Sequence, residues 1–276
     1  MKFSICSWTF GEKPIEDIIK FASKVGYDEI EVHAAVDAYD WNYLREKAKD
    51  ENIDIRGLSG DAEWLQEETD MAHSDPKKRR LAVEYFKKQV EAAEIVQAEY
   101  IVVSPSAPGK AVPLGNGEED WVWAIESIQE LAPFAQTKGV DLIIEPLNRY
   151  ESCILNNAKQ AKAFVEEVAA PNVKTMLDTF HMNIEETNLT TPFVELGEAL
   201  GHIHVADTNR RGLGRGRLPF DEVAEGIKQS GYNGTITVEC LAPGPDPFEA
   251  NKTEESMEWI YTYAEETLHK LHQFFK

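Results

Sequence analysis

Cysteine is scarce: Cys6, Cys153 and Cys240 are the only three in 276 residues, an odd number set far apart. That argues against a disulfide framework or a zinc knuckle and fits a reducing cytoplasm. Long apolar runs are also missing. None approaches the roughly 18 residues that a membrane-spanning helix needs. The N-terminal apolar stretch is broken by Ser4 and Ser7 and meets Glu12 and Lys13 too soon for a signal peptide. Positive charge is in deficit, with 28 Lys and Arg against 49 Asp and Glu, a net charge of −21. So acidic a chain is repelled by phosphate backbones and anionic lipid surfaces, which disfavours nucleic-acid and membrane partners. No linker, low-complexity segment or composition break divides the sequence, so residues 1–276 read as one domain.

What is present is a repeat of short apolar or β-branched runs and longer helical stretches. The runs are Phe3–Ser7, Glu29–Val32, Ile53–Leu58, Tyr100–Val103, Val140–Glu145, Val173–Asp178, His202–Ala206 and Thr235–Glu239. Clear helical spacing occupies Pro14–Val25, Lys77–Val96, Trp121–Thr137, Ala158–Val168, Phe220–Gln229 and Glu254–Phe275. Strict alternation of this kind implies parallel strands with helices outside, and eight units in about 250 residues predict an α/β fold, a (β/α)8 TIM barrel. An open doubly wound sheet would carry a Gly-rich turn after its first strand, and Ser7-Trp8-Thr9-Phe10-Gly11 is not one.

A barrel carries its active site at the C-terminal ends of its strands. Four consecutive strands end in titratable residues: Glu145 on the fifth, Asp178 on the sixth, His204 on the seventh and Glu239 on the eighth. A lone Glu at a strand end is commonly a helix cap, and a lone His a hydrogen-bonded core residue. Four in a row, each acid following an apolar run, would repel one another and resist desolvation. A divalent cation removes that cost. Three carboxylates and one imidazole form a hard donor set suited to Mn2+ or Mg2+, with Co2+ in the same class. Two octahedral positions would stay open for adjacent substrate oxygens. His202 shares a strand face with His204 but lies one layer lower, where it reads as a packed residue or an outer donor.

The stretches Glu145-Pro146-Leu147-Asn148-Arg149-Tyr150-Glu151 and Leu177-Asp178-Thr179-Phe180-His181-Met182-Asn183-Ile184-Glu185-Glu186 resemble signatures of the ketose 3-epimerases. So does Gly201-His202-Ile203-His204, continuing through Asp207-Thr208-Asn209-Arg210-Arg211 to Gly214-Arg215-Gly216-Arg217. This is the D-tagatose/D-psicose 3-epimerase-like family of the xylose isomerase-like barrels. The resemblance is dense from about residue 140 to residue 240. It implies that Glu145, Asp178, His204 and Glu239 bind the metal, that Glu145 and Glu239 double as the acid/base pair, and that Glu151, His181 and Arg210 hold substrate oxygens. It also implies a small-molecule keto-sugar substrate and a homo-oligomer, dimer or tetramer. Where members of the family often follow the last glutamate with Pro-Phe, this sequence has Cys240-Leu241, which removes an aromatic contact with the sugar.

The chemistry suits these residues. Polarising the C2 carbonyl of a ketose acidifies the C3 proton and stabilises the resulting enediolate. Inversion needs an acid on each face of C3, and strands five and eight lie nearly across an eight-strand ring. Gly212, Gly214 and Gly216 fit neither phosphate-binding spacing and read as a tight loop that lets Arg210 reach inward. Loops 59–64 and 104–109 shape the far end of the pocket, and Trp8, Phe10, Trp64, Trp121 and Trp123 are candidate wall residues. The nearest rivals are inosose or hydroxypyruvate-type enzymes on the same scaffold. An apurinic endonuclease would need more ligands than this histidine set supplies, because His73, His269 and His272 fall in helical or loop regions. A non-catalytic sugar-binding protein would not need both glutamates.

Overall fold

The computed structural model describes residues 1–62, 64–244, 247–248 and 252–275. Its strands are β1 (Lys2–Cys6), β2 (Glu29–His33), β3 (Asp54–Ser59), β4 (Tyr100–Val103), β5 (Asp141–Ile144), β6 (Val173–Asp178), β7 (Leu200–Val205) and β8 (Thr235–Val238). They form a closed barrel in chain order, and β1 closes on β8 in parallel register, Phe3 opposite Ile236 and Ile5 opposite Val238. The helices are α1 (Ile15–Val25), α2 (Trp41–Asp50), α3 (Pro76–Val96), α4 (Glu118–Thr137), α5 (Ala158–Val168), α6 (Thr179–Glu185), α7 (Thr191–Leu196), α8 (Phe220–Ser230) and α9 (Glu254–Phe275). Among the described residues, no helix is long and apolar enough to cross a membrane.

The expected TIM barrel is therefore the fold, with strand bounds moved by a residue or two. Glu145 and Glu239 stand one position beyond β5 and β8, where the chain leaves the hydrogen-bonded ladder. Helix α2 lay outside the clear helical stretches because Lys, Arg and Glu crowd it. Its buried face, Trp41, Leu44 and Ala48, still follows helical spacing, and Asp40 caps it by accepting from the Tyr43 N–H at 3.0 Å.

Alternation along each strand sends one set of side chains outward to the helices and the other toward the barrel axis. Phe3, Ile5, Ile30, Val32, Ile203 and Ile236 belong to the large outer core. The interior is divided. Tyr100, Val102, Ile143 and Met176 form a separate apolar cluster. Ser4, Glu29, Glu31, His202 and Thr237 are also buried, and they make the opposite side of the interior polar. Gly57 on β3 permits this arrangement, because a Cβ there would sit 2.2 Å from the Tyr100 ring. With the space left open, the Tyr100 hydroxyl reaches across to Glu31.

Candidate active site

At the C-terminal mouth of the barrel, donor atoms of Glu145, Asp178, His204 and Glu239 all lie within 4.8 Å of one another. Three of the four are held by different local devices. Asp178 ends β6 and caps α6, its Oδ1 accepting from the Phe180 N–H at 2.8 Å. Capping uses Oδ1 alone, so it is compatible with a ligand role for Oδ2, which faces Arg210 at 3.2 Å. Glu239 accepts at Oε1 from the Trp8 indole N–H, 2.7 Å away, and at Oε2 from Arg210 Nη2, 2.6 Å away. His204 is buried, with Nε2 toward Glu31 and Nδ1 3.2 Å from Glu239 Oε2.

Two observations test whether this set suits a divalent cation. His204 Nδ1 is buried without a hydrogen-bond partner. Among the described residues, no hydrogen bond reaches the Glu145 carboxylate, although it stands beside two other acids. A hard cation bound by three carboxylates and one imidazole satisfies both. The residues fit the group.

The electrostatics split the two glutamates. Burial pushes the Glu145 carboxyl well up, and the charge of Glu239 adds to that push. Burial works on Glu239 as well, but the Arg210 guanidinium and His204 overcome it and hold that carboxyl well below the usual range. One glutamate is biased toward its acid form and the other toward its base form.

Arg210 reaches this site on a loop built around Asp207. The Asp207 carboxylate accepts from the N–H groups of Thr208 at 2.7 Å, Gly214 at 2.6 Å and Leu218 at 2.9 Å. A Cβ at Gly216 would come within 2.1 Å of that carboxylate, so glycine is required there. Arg210 itself takes a left-handed backbone (φ 59°) and lays its guanidinium over the Phe180 ring. It bridges Glu239 and, at 3.2 Å, Asp178 Oδ2. The sequence reading assigned Arg210 to substrate oxygens. Here it lines the pocket and neutralises two of the clustered acids together.

His181 projects from α6 into the same pocket. Its Nδ1 receives the Asn148 backbone N–H at 3.1 Å, so the neutral ring carries its proton on Nε2. Burial holds its pKa down to about 4, which keeps it neutral near pH 7. Asn148 also donates to Glu151 Oε1 at 2.7 Å and thereby orients two pocket residues.

The cavity above these groups has a volume of about 320 Å³, within the range of small-ligand sites. Glu145, Glu151, His181, His204, Arg210 and Glu239 line it, and Asp178 stands behind Arg210. Loops 59–64 and 104–109 supply its far end through Asp61, Ala62, Trp64, Ser104 and Pro108. Glu63 of the first loop lies outside the described residues.

The aromatic expectations divide. Trp8 and Trp64 wall the pocket, whereas Phe10 is wholly buried. Trp121 packs on Phe164 and donates to Glu167, and Trp123 carries the Arg79 guanidinium, so both face away on α4. Cys240-Leu241 was expected to leave the pocket short of one ring. Phe248, from the loop after β8, lines the pocket and stacks on Trp8 at 6.2 Å.

Three contributions escaped the sequence reading: Asn148, Phe248 and the buried Glu31. Glu31 had a signal, because Glu29-Ile30-Glu31-Val32 puts two acids on one face of a strand whose faces are both covered.

A family model described as xylose isomerase-like TIM barrel matches residues 19–263. Within it, the chain is 30% identical over 250 residues to the D-psicose 3-epimerase of Enterocloster bolteae, covering 87% of this chain and 82% of that one. A 120-residue stretch, 44% of this chain and 41% of its counterpart, is 44% identical to the D-psicose 3-epimerase of Ruminiclostridium cellulolyticum. The crystal structure of D-psicose 3-epimerase with D-tagatose from Clostridium cellulolyticum superposes over all of both chains, with a TM-score of 0.88 at 26% identity. The chain belongs to the xylose isomerase-like TIM barrels and, among these, to the ketose 3-epimerase family.

Proposed function

We propose that this isomerase is a ketose 3-epimerase that inverts C3 of a free keto-sugar through an enediolate, with a divalent cation, Mn2+ first and Mg2+ or Co2+ in the same hard class. The observation that carries the reading is the cluster of four ligand atoms within 4.8 Å, two of them from glutamates that follow strands nearly opposite on the ring. Glu145, Asp178, His204 and Glu239 would hold the cation. When bound, it polarises the substrate carbonyl and stabilises negative charge on oxygen.

The chain's own residues do the rest. Glu145 and Glu239 approach the substrate carbon from opposite sides, one to remove the C3 proton and the other to return a proton to the opposite face. The His181 Nε2–H and the Arg210 guanidinium supply donors where charge gathers on the enediolate oxygens. Glu151 accepts from a distal hydroxyl. Trp8, Trp64 and Phe248 exclude water over the reacting carbon.

A free sugar is favoured over a phosphorylated one by charge. Among the described residues lining the pocket, Arg210 is the sole lysine or arginine, and it is already paired with Asp178 and Glu239. The three free cysteines, two of them buried, support a cytoplasmic location. The deciding experiment incubates the Mn2+-loaded enzyme with a panel of ketoses and ketose phosphates in D2O and follows each carbon by NMR. Deuterium at C3 with inversion, for the free sugars only, is expected. Exchange at C1 instead would make the enzyme a 1,2-isomerase.

A further inference from the structure

Below the ligand cluster, inside the barrel, Glu31 is fully buried and surrounded by donors. Its Oε1 lies 3.1 Å from His204 Nε2. Its Oε2 accepts from the Tyr100 hydroxyl at 2.8 Å and lies 3.1 Å from His202 Nε2. The Cys6 thiol adds a longer contact to Oε1 at 3.5 Å. Glu31, His202 and His204 could themselves be taken for a metal site. Both Glu31 oxygens are already engaged at hydrogen-bond distances, however, and the group is sealed from solvent with no open position, so it is a hydrogen-bonded network.

Both His204 nitrogens stand near a carboxylate, but only Nε2 makes a hydrogen bond, to Glu31, and a carboxylate only accepts, so the proton sits on Nε2. The other nitrogen, Nδ1, then keeps its lone pair. Nδ1 is the buried atom that lacks a hydrogen-bond partner, and it points into the cluster with Glu145, Asp178 and Glu239. We propose that Glu31 is a positioning residue: it fixes the Nε2–H tautomer of His204, locks the ring plane, and so presents Nδ1 as the ligand atom. A carboxylate behind a ligating imidazole also raises its basicity and strengthens its bond to a metal. Tyr100 and His202 hold Glu31 in turn, and Gly57 makes the room that Tyr100 needs. This inference rests on the metal-site reading above.

Two measurements test it. In the Mg2+-loaded wild type labelled with 15N-histidine, long-range proton–nitrogen spectra should place the His204 proton on Nε2. A proton on Nδ1 overturns the inference, whatever any variant does. In Glu31→Gln, which keeps the shape and removes the charge, the Kd for Mn2+ measured by titration should rise by roughly 10- to 100-fold. A purely structural role would lower the melting temperature and leave that Kd within twofold of wild type, which would also overturn it. A wild type that binds no Mn2+ removes the metal site itself and this inference with it. A wild type that binds while Glu31→Gln binds equally removes the inference alone.

Discussion

The indole N–H of Trp8, just beyond β1, donates to Glu239 Oε1, just beyond β8, at 2.7 Å. The bond spans the seam where the barrel closes and commits one oxygen of Glu239. Oε2 is left to face Arg210 and His204. Trp8→Phe would keep the ring over Phe248 and lose only the donor. A hydrogen bond to a charged group contributes about 1.5–3 kcal/mol, so kcat/KM should fall roughly 10- to 100-fold while the fold persists. Steady-state kinetics beside a circular-dichroism melt check this. Unchanged kcat/KM would mean that Glu239 needs no such anchor.

Metal removal should silence the enzyme. EDTA treatment is expected to abolish turnover, and Mn2+ or Co2+ to restore it. The cation also relieves repulsion among Glu145, Asp178 and Glu239, so binding should raise stability by about 2.7 kcal/mol at a hundredfold excess over Kd. For a chain of this size that is roughly 5–10 °C in Tm. Full activity in protein shown to be metal-free by elemental analysis would refute the assignment.

His181→Ala should lose kcat by about 10²- to 10³-fold, the usual cost of one donor to developing oxyanion charge, with metal content near normal. Arg210→Ala should show the same kinetic loss and one further effect. Without its guanidinium, Asp178 and Glu239 lose their counter-charge, so the metal-free variant should melt well below wild type and recover most of the difference when Mn2+ is added. If His181→Ala instead fails to retain metal, its role has been misassigned.

The two glutamates should fail differently. If each serves one face of C3, Glu145→Gln and Glu239→Gln both stop epimerisation, but each keeps one working carboxylate. In D2O, one variant should wash deuterium into C3 of one epimer without inversion, and the other variant should do so with the opposite epimer. Gln retains an oxygen for the cation, so metal content is measured in both. Retained epimerase activity in either variant would falsify the two-base mechanism.

Much of this candidate site could be read along the chain because its acids sit where apolar runs end. A strand buried on both faces is mostly apolar, so an acid where such a run ends marks the mouth of the barrel. Glu145, Asp178 and Glu239 follow that rule, and on the strand between the last two, the period-two alternation puts His202 and His204 on one face. Eight βα repeats are enough to imply the closed sheet. The glycines after β7 likewise read correctly as a tight loop, although the Asp207 carboxylate at its centre did not show in the sequence.

What the sequence determined by itself is therefore local: which segments alternate, which face of each strand turns inward, and which residues stand at the strand ends. The tertiary structure decided the meetings across the barrel. Trp8 meets Glu239 only because β1 closes on β8. Glu31 meets His204 from a strand 173 positions earlier in the chain, and Phe248 joins Trp8 from a loop after the last strand. Residue periodicity encodes direction relative to the element's own axis. It carries no record of which inward side chain faces which across a ring, because closure, strand tilt and register set that distance only after the whole barrel has formed.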